Sequence, residues 1–309
     1  GASRLMQPDV PPEIADWFAG RDWRIRRHQL DMLVASDRGR HTLLVADTGA
    51  GKTLAGFLPT LADFTQARLK GSEPPPGLHT LYISPLKALA HDVQRNLLTP
   101  IEEMGLPLRV ETRSGDTPSD RKKRQRSRPP HVLLTTPESL SLLLSYKHAA
   151  QRFQHLDAVI VDEWHELLGS KRGIQAELAL SWLRQQRPAL QTWVISATIG
   201  NLDDAARHGL GVGAVDPELI TTSQAKQLQI RSVIPDSIDG FPWAGHLGLR
   251  MYEQLVDRLS PAISTLLFTN TRNQSERWYQ CLRYACPEME GLLALHHSAI
   301  DRSERELIE

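Results

Sequence analysis

The sequence is short of features that would settle its class at a glance. Two cysteines, Cys281 and Cys286, among 309 residues cannot build a disulfide framework, which suits a reducing compartment and leads us to expect a cytoplasmic protein. No apolar run approaches the roughly 20 residues that cross a bilayer, and the first residues lack the pattern of a secretory signal. The 36 Lys and Arg are matched by 36 Asp and Glu, so bulk charge neither announces nor excludes a polyanionic partner. Local patches must decide that. No internal repeat at a fixed short period is present. What the chain does have is 40% hydrophobic content, enough for one large core or two domain-sized ones.

Short apolar runs recur at 41–46 (HTLLVA), 80–84 (TLYIS), 131–135 (HVLLT), 158–162 (AVIVD) and 192–196 (TWVIS). Amphipathic stretches lie between most of them, notably 86–104, 138–151 and 174–187. Strands alternating with helices imply an α/β fold with a largely parallel sheet covered on both faces. Ligands of such sheets collect at the carboxyl ends of the strands. Polar signatures fall there five times: Thr48-Gly49, Pro85-Leu86-Lys87, Thr136-Pro137, Asp162-Glu163 and Ser196-Ala197-Thr198. Residues 71–77 (GSEPPPG) read as a loop, because consecutive prolines neither donate to a ladder nor continue a helix. Past Gly209, Gly211 and Gly213 the grammar changes, and 224–235 reads as an extended connection. A second unit begins near 264, with a strand at 264–268 (STLLF), a helix over about 273–285 and a strand at 291–296 (GLLALH).

Ala46 to Thr53 (ADTGAGKT) fits the spacing of a phosphate-binding loop, with Ala46 in place of its first glycine. Backbone N–H groups from Gly49 to Thr53 can curl around phosphate oxygens only where bulky Cβ atoms stay away, which accounts for Gly49, Ala50 and Gly51. Lys52 then offers a point charge to the β- and γ-phosphates, and the Thr53 hydroxyl a ligand for Mg²⁺. Thr48 belongs to the same turn. Asp162 and Glu163 end an apolar strand, where two adjacent carboxylates repel unless a cation sits beside them. In the resulting reading ATP and Mg²⁺ are the cofactors: Asp162 holds the metal, and Glu163 orients and deprotonates an attacking water. His165 is spaced to reach either the γ-phosphate region or the turn at Ser196 and Thr198.

With Asp162-Glu163-Trp164-His165 in place the sequence resembles the DExH-box helicases of superfamily 2. In that group a glutamine upstream of the phosphate loop reads adenine, and Gln29 in Arg26-Arg27-His28-Gln29 matches it, with Trp23 or Phe18 as stacking partner. The strings 162–173 (DEWHELLGSKRG), 241–249 (FPWAGHLGL) and 268–272 (FTNTR) look like the Lhr-type large helicases, most of all their ligase-associated bacterial branch. The resemblance implies two RecA-like domains: a lead-in over 1–24, the first domain over 25–222, a connector over 223–262 and the incomplete start of a second over 263–309. It also implies ATP-dependent 3′ to 5′ movement along single-stranded DNA, unwinding of 3′-tailed duplexes, a repair role and repair or ligase proteins as partners.

Pro85 and Lys87, Arg113 with Gly115 and Asp116, Thr136 and Pro137, and Thr269, Asn270 and Arg272 match family segments that track the sugar–phosphate backbone. Hydroxyls, backbone N–H groups and helix starts suit phosphate oxygens and carry no base information. His165, Ser196 and Thr198 are the expected link between hydrolysis and the strand. The run 121–128 (RKKRQRSR) reads first as a solvated helix face. Cys281, Cys286, His296 and His297 have no common zinc spacing. The arginines that reach the γ-phosphate in the family have no counterpart before Glu309, so the resemblance implies weak ATP binding and scant hydrolysis by these residues. An RNA helicase, a P-loop transferase and a binding module without turnover are the rival readings.

Overall fold

The structure, a computed structural model, describes residues 10–47, 51–222, 251–262, 264–289, 291–297 and 300, without the side chains of 87–89 and 91. Its contacts divide the chain into Gly1–Ala225 and Lys226–Glu309.

In the first unit α1 (Pro12–Ala19) and α2 (Arg27–Asp37) precede β1 (Thr42–Val45) and α3 (Lys52–Leu69). Next come β2 (Thr80–Ile83), α4 (Lys87–Glu103), β3 (Val110–Arg113), α5 (Ser119–Ser127), β4 (Val132–Thr135), α6 (Pro137–Ser145) and α7 (Ala149–Arg152). The unit closes with β5 (Ala158–Val161), α8 (Trp164–Leu167), α9 (Lys171–Gln186), β6 (Gln191–Ser196), α10 (Leu202–Leu210) and β7 (Glu218–Thr221). All seven strands run parallel in the order β3-β4-β2-β5-β6-β1-β7.

Each central strand is buried along its length, as a sheet sandwiched between helices requires. One core gathers Phe57, Phe64, Tyr82 and Ile160 with Ile14 and Phe18 of α1. The other gathers Phe153, Val161, Trp164, Leu180 and Val194. Gly56 lets α3 lie against the sheet, because a Cβ there would come within 2.7 Å of Ile195 Cδ1. The parallel arrangement puts the residues after β1, β2, β4, β5 and β6 on one rim. No helix among the described residues is long and apolar enough to cross a membrane.

Three expectations change. The 138–151 stretch is two helices, since Tyr146 leaves the helical region and His148 is left-handed at φ 62°. The lead-in is not separate from the first unit: α1 contributes to its core. In the second unit the helix forms as α12 (Arg272–Ala285), after a short α11 (Tyr252–Val256), but neither 264–268 nor 291–296 is a strand. A ladder needs a partner, and none lies beside them among the described residues; Leu266 and Phe268 are 83% and 87% exposed. The extended connection at 224–235 and the string 241–249 lie outside the described residues.

Candidate nucleotide and nucleic-acid site

The β1 turn and the β5 turn meet. Thr48, Gly49 and Ala50 lie outside the described residues, but Gly51 is left-handed at φ 71° and hands the chain into α3 at Lys52. Lys52 is only 7% exposed, and its Nζ lies 3.8 Å from Glu163 Oε1. Thr53 Oγ1 donates to Asp162 Oδ2 at 3.1 Å. Asp162 is fully buried; its Oδ2 also accepts from the Tyr82 hydroxyl at 2.7 Å, and its Oδ1 from the Glu163 backbone N–H at 2.8 Å. Burial, and after it the charge of Asp162, pushes the Tyr82 hydroxyl well above the usual tyrosine range, so it stays a donor. Spacing alone gave no hint of Tyr82. Only the pairing of β2 with β5 brings position 82 to position 162.

Glu163 takes the left-handed conformation, φ 52° and ψ 42°, at an expense of about 1 kcal/mol for a residue with a Cβ. That kink turns its carboxylate toward Lys52 and His165 instead of along the strand. Two carboxylates here face one lysine and otherwise neutral donors, so the cluster is left with excess negative charge in a place poor in water. A divalent cation fits that deficit, with Thr53 and Asp162 as the oxygen donors to hold it.

His165 lies on α8 just beyond the acidic pair. Its Nδ1 accepts the Ala197 backbone N–H at 3.1 Å and faces Ser196 Oγ at 3.2 Å, which assigns the ring proton to Nε2. Nε2 in turn lies 3.1 Å from Glu163 Oε2. His165 therefore meets the turn after β6 through Nδ1 and the acidic pair through Nε2. Thr198 Oγ1 sits 3.5 Å from Asp47 Oδ1, which ties that turn to the end of β1. Trp164, fully buried, donates from its indole to Ala205 O at 3.0 Å and fixes α8 on α10.

Gln29 is buried beside the same loop. Its Oε1 accepts the Arg26 backbone N–H at 2.8 Å, capping α2, and its Nε2 donates to Gly51 O at 3.3 Å. A cleft of about 480 Å³ opens next to it, lined in part by Trp23, Arg24, Arg26, Gly51 and Leu54. Both aromatic candidates line the cleft, Trp23 at 53% exposure and Phe18 at 3%, the latter also packed into the core.

The candidate strand-holding residues divide. Pro85 and Thr136-Pro137 follow β2 and β4 on the loaded rim, and Thr136 Oγ1 caps α6 by accepting Ser139 N–H at 3.4 Å. Arg172 joins them: its Nη2 donates to Pro85 O at 2.7 Å while its guanidinium also pairs with the Glu138 carboxylate. That pairing holds Glu138 below the usual carboxylate range and raises Arg172. Sequence reasoning quoted Arg172 only inside a longer string and gave it no such task.

Gly115 and Asp116 are exposed in the turn after β3. Arg113 is not: it is 3% exposed, and its Nη1 donates to Lys122 O at 3.0 Å and Gln125 Oε1 at 3.3 Å. The guanidinium braces α5 against β3, and a phosphate contact would require breaking those bonds. Lys87 begins α4, and its side chain is outside the described set. The basic run is α5, as expected of a solvated helix face, with Arg124 3.7 Å from Glu111 and Arg126 over the Tyr146 ring. In the second unit Asn270 and Arg272 are exposed at the start of α12, with Arg272 2.9 Å from Glu276; Thr269 is partly buried, its hydroxyl donating to Thr271 O at 3.3 Å.

Comparison with known proteins meets this geometry. Residues 26–205 match the DEAD/DEAH box helicase family. The chain is 33% identical over 96% of its length to ATP-dependent helicase Lhr-Core protein 2 of Thermococcus barophilus, of which it spans 36%. It is 34% identical over 87% of its length to the Lhr helicase/uracil glycosylase of Escherichia coli, of which it spans 20%. Among solved structures, the helicase Lhr of Mycobacterium smegmatis bound to single-stranded DNA and AMP-PNP superposes with a TM-score of 0.74 at 32% identity. That match covers 96% of this chain and 39% of the other. The sheet whose adjoining turns bring Lys52, Thr53 and the acidic pair together is thus shared by descent as well as by shape: the chain belongs to the DEAD/DEAH box helicases and is a relative of the Lhr proteins.

Proposed function

We propose that the chain is the nucleotide-binding part of an ATP-dependent DNA helicase or translocase that moves on single-stranded DNA. One observation carries the reading: Thr53 contacts Asp162 while Lys52 contacts Glu163, so the phosphate loop and the acidic pair share one site. Lys52 neutralises β- and γ-phosphate charge, Thr53 and Asp162 hold Mg²⁺, and Gln29 with Trp23 flanks the adenine cleft. With Mg·ATP bound, the metal would offset charge on the phosphoryl oxygens, a task that Lys52 would share. Glu163 orients the attacking water and takes its proton, and His165 Nε2 fixes the carboxylate for that task.

The strand runs over the rim formed by Pro85, Lys87, Gly115, Asp116, Thr136 and Pro137; Thr269, Asn270 and Arg272 are the second unit's own candidates for backbone contact. Single-stranded DNA as the polynucleotide is supported by the ligand of the M. smegmatis relative. Polarity from 3′ to 5′ and a repair setting rest on the resemblance. His165, Ser196 and Thr198 transmit the state of the nucleotide to the strand. By linkage, a strand that tightens ATP binding must itself be tightened by ATP to the same degree.

The test is binding of a fluorescent ATP analogue to the chain with Mg²⁺ or EDTA, and with DNA or RNA strands of one sequence. Mg²⁺-dependent binding strengthened by DNA is expected, with log affinity for the strand falling against log salt at a slope of about −3 to −4. Indifference to polynucleotide would refute coupling of the nucleotide site to a strand, and preference for RNA would move the substrate.

A further inference from the structure

Tyr82 is the one aromatic residue of β2 (Thr80–Ile83), and packing alone would be met by phenylalanine. Its ring is fully buried and stacked on Phe57, with centroids 5.4 Å apart and planes 26° apart. Phe57 stands one turn after Thr53 on α3, so the helix that presents Lys52 and Thr53 also sets this ring. The hydroxyl ends 2.7 Å from Asp162 Oδ2, the oxygen that Thr53 Oγ1 meets at 3.1 Å. The other carboxylate oxygen is pinned by the Glu163 N–H at 2.8 Å.

We infer that Tyr82 is a positioning residue for the divalent cation: its hydroxyl fixes the rotation of the Asp162 carboxylate, and so the direction in which the remaining lone pairs point. This rests on the Mg·ATP reading above. A carboxylate turns about its Cβ–Cγ bond unless both oxygens are held. The Glu163 N–H holds one, and on the other the Thr53 hydroxyl cannot be the sole anchor, because its oxygen is also asked to face the metal. Tyr82 donates from the core side, where no ligand competes for it. Hydrogen bonds of this kind behind a metal ligand change metal affinity by about 10- to 100-fold when lost.

Tyr82→Phe keeps the ring and removes the donor. In the 309-residue chain the expected result is a Mg²⁺ half-saturation, read by binding of a fluorescent ATP analogue, about 10- to 100-fold higher than in the parent. Nucleotide affinity and melting midpoint in EDTA should stay within about twofold and a few degrees of the parent. Mn²⁺ in place of Mg²⁺, followed by the loss of its free-ion EPR signal, should show the same weakening. An unchanged Mg²⁺ half-saturation overturns the inference, as does an equal loss of affinity in EDTA, which would make Tyr82 a packing residue. If Tyr82→Phe folds poorly, comparing it on an Asp162→Asn background decides. The substitution should then add nothing to the cation requirement, and an undiminished further loss refutes action through Asp162. Parent protein that binds nucleotide with no response to Mg²⁺ would refute the Mg·ATP reading itself.

Discussion

If Glu163 acts as proposed, replacing it with glutamine should separate holding the nucleotide from breaking it. In the structure Glu163 Oε1 is 3.8 Å from Lys52 Nζ, with the two side chains 23% and 8% exposed. That attraction competes with the phosphates for the lysine, and the carboxylate also repels them. After screening at the partly exposed glutamate, an ion pair of this kind is worth about 1 kcal/mol, or about fivefold in affinity. Glu163→Gln keeps the shape, removes the charge and should bind an ATP analogue about fivefold more tightly in the presence of Mg²⁺. Hydrolysis should move the other way. A positioned base contributes about 10² to 10⁴ in rate, so single-turnover phosphate release with single-stranded DNA should fall by about that factor. Weaker nucleotide binding, or release at the parent rate, would refute the assignment of Glu163 and the competition for Lys52 together.

Gly51→Ala places a Cβ on a left-handed residue 3.0 Å from Gln29 Nε2 and should lower stability by about 1 to 2 kcal/mol, read as a fall of a few degrees in melting midpoint; an unmoved midpoint would mean the turn re-forms without strain. Arg172→Lys keeps one charge but cannot reach Pro85 O and both Glu138 oxygens at once, so anisotropy should show several-fold weaker single-strand binding with the ATP-analogue affinity intact. Equal losses of both would place Arg172 in general folding. His131 is held down to about 4 by burial, then by Arg109 and His79, while its Nδ1 accepts the Arg109 N–H at 2.9 Å. Its unfolded-state pKa is about 6.5, so below that pH the unfolded chain takes a proton that the folded one refuses. Stability therefore falls as pH drops from about 6.5 toward 4, by about 1 to 2 kcal/mol once partial exposure is discounted. Denaturant melts at pH 7 and pH 5 should show a smaller loss for His131→Gln, and parallel losses would exonerate the histidine.

The parts of the fold legible in the sequence are those whose burial is complete. The runs 41–46, 80–84, 131–135, 158–162 and 192–196 are continuous apolar segments because their strands are covered by helices on both faces. The two unrecognised strands, Val110–Arg113 and Glu218–Thr221, are the sheet's edges, where polar and apolar residues mix: Glu218–Thr221 buries only Ile220, and the polar Glu111 and Arg113 meet α5. Their pattern is too short and too polar to stand out from a loop. Pairing, not propensity, makes them strands. The second unit shows the converse: 264–268 has strand composition but no neighbour among the described residues to pair with.

The site divides in the same way, between groups defined by a turn and groups defined by the sheet. Lys52, Thr53, Asp162 and Glu163 occupy turns whose local chemistry is unusual enough to read, since glycines beside a lysine and paired acids after an apolar strand each need a ligand to explain them. Tyr82, Asp47 and Arg172 are ordinary residues in ordinary segments. They acquire a task only because β2 lies beside β5, β1 lies beside β6, and the start of α9 reaches the turn after β2. Arg113 errs in the opposite direction. A basic residue at a strand end in a phosphate-tracking segment looks like a phosphate ligand, but α5 folds over it and presents two oxygens to its guanidinium. Whether such a charge faces solvent is decided by the helix that follows, and no reading of residue 113 and its immediate neighbours contains that helix's path.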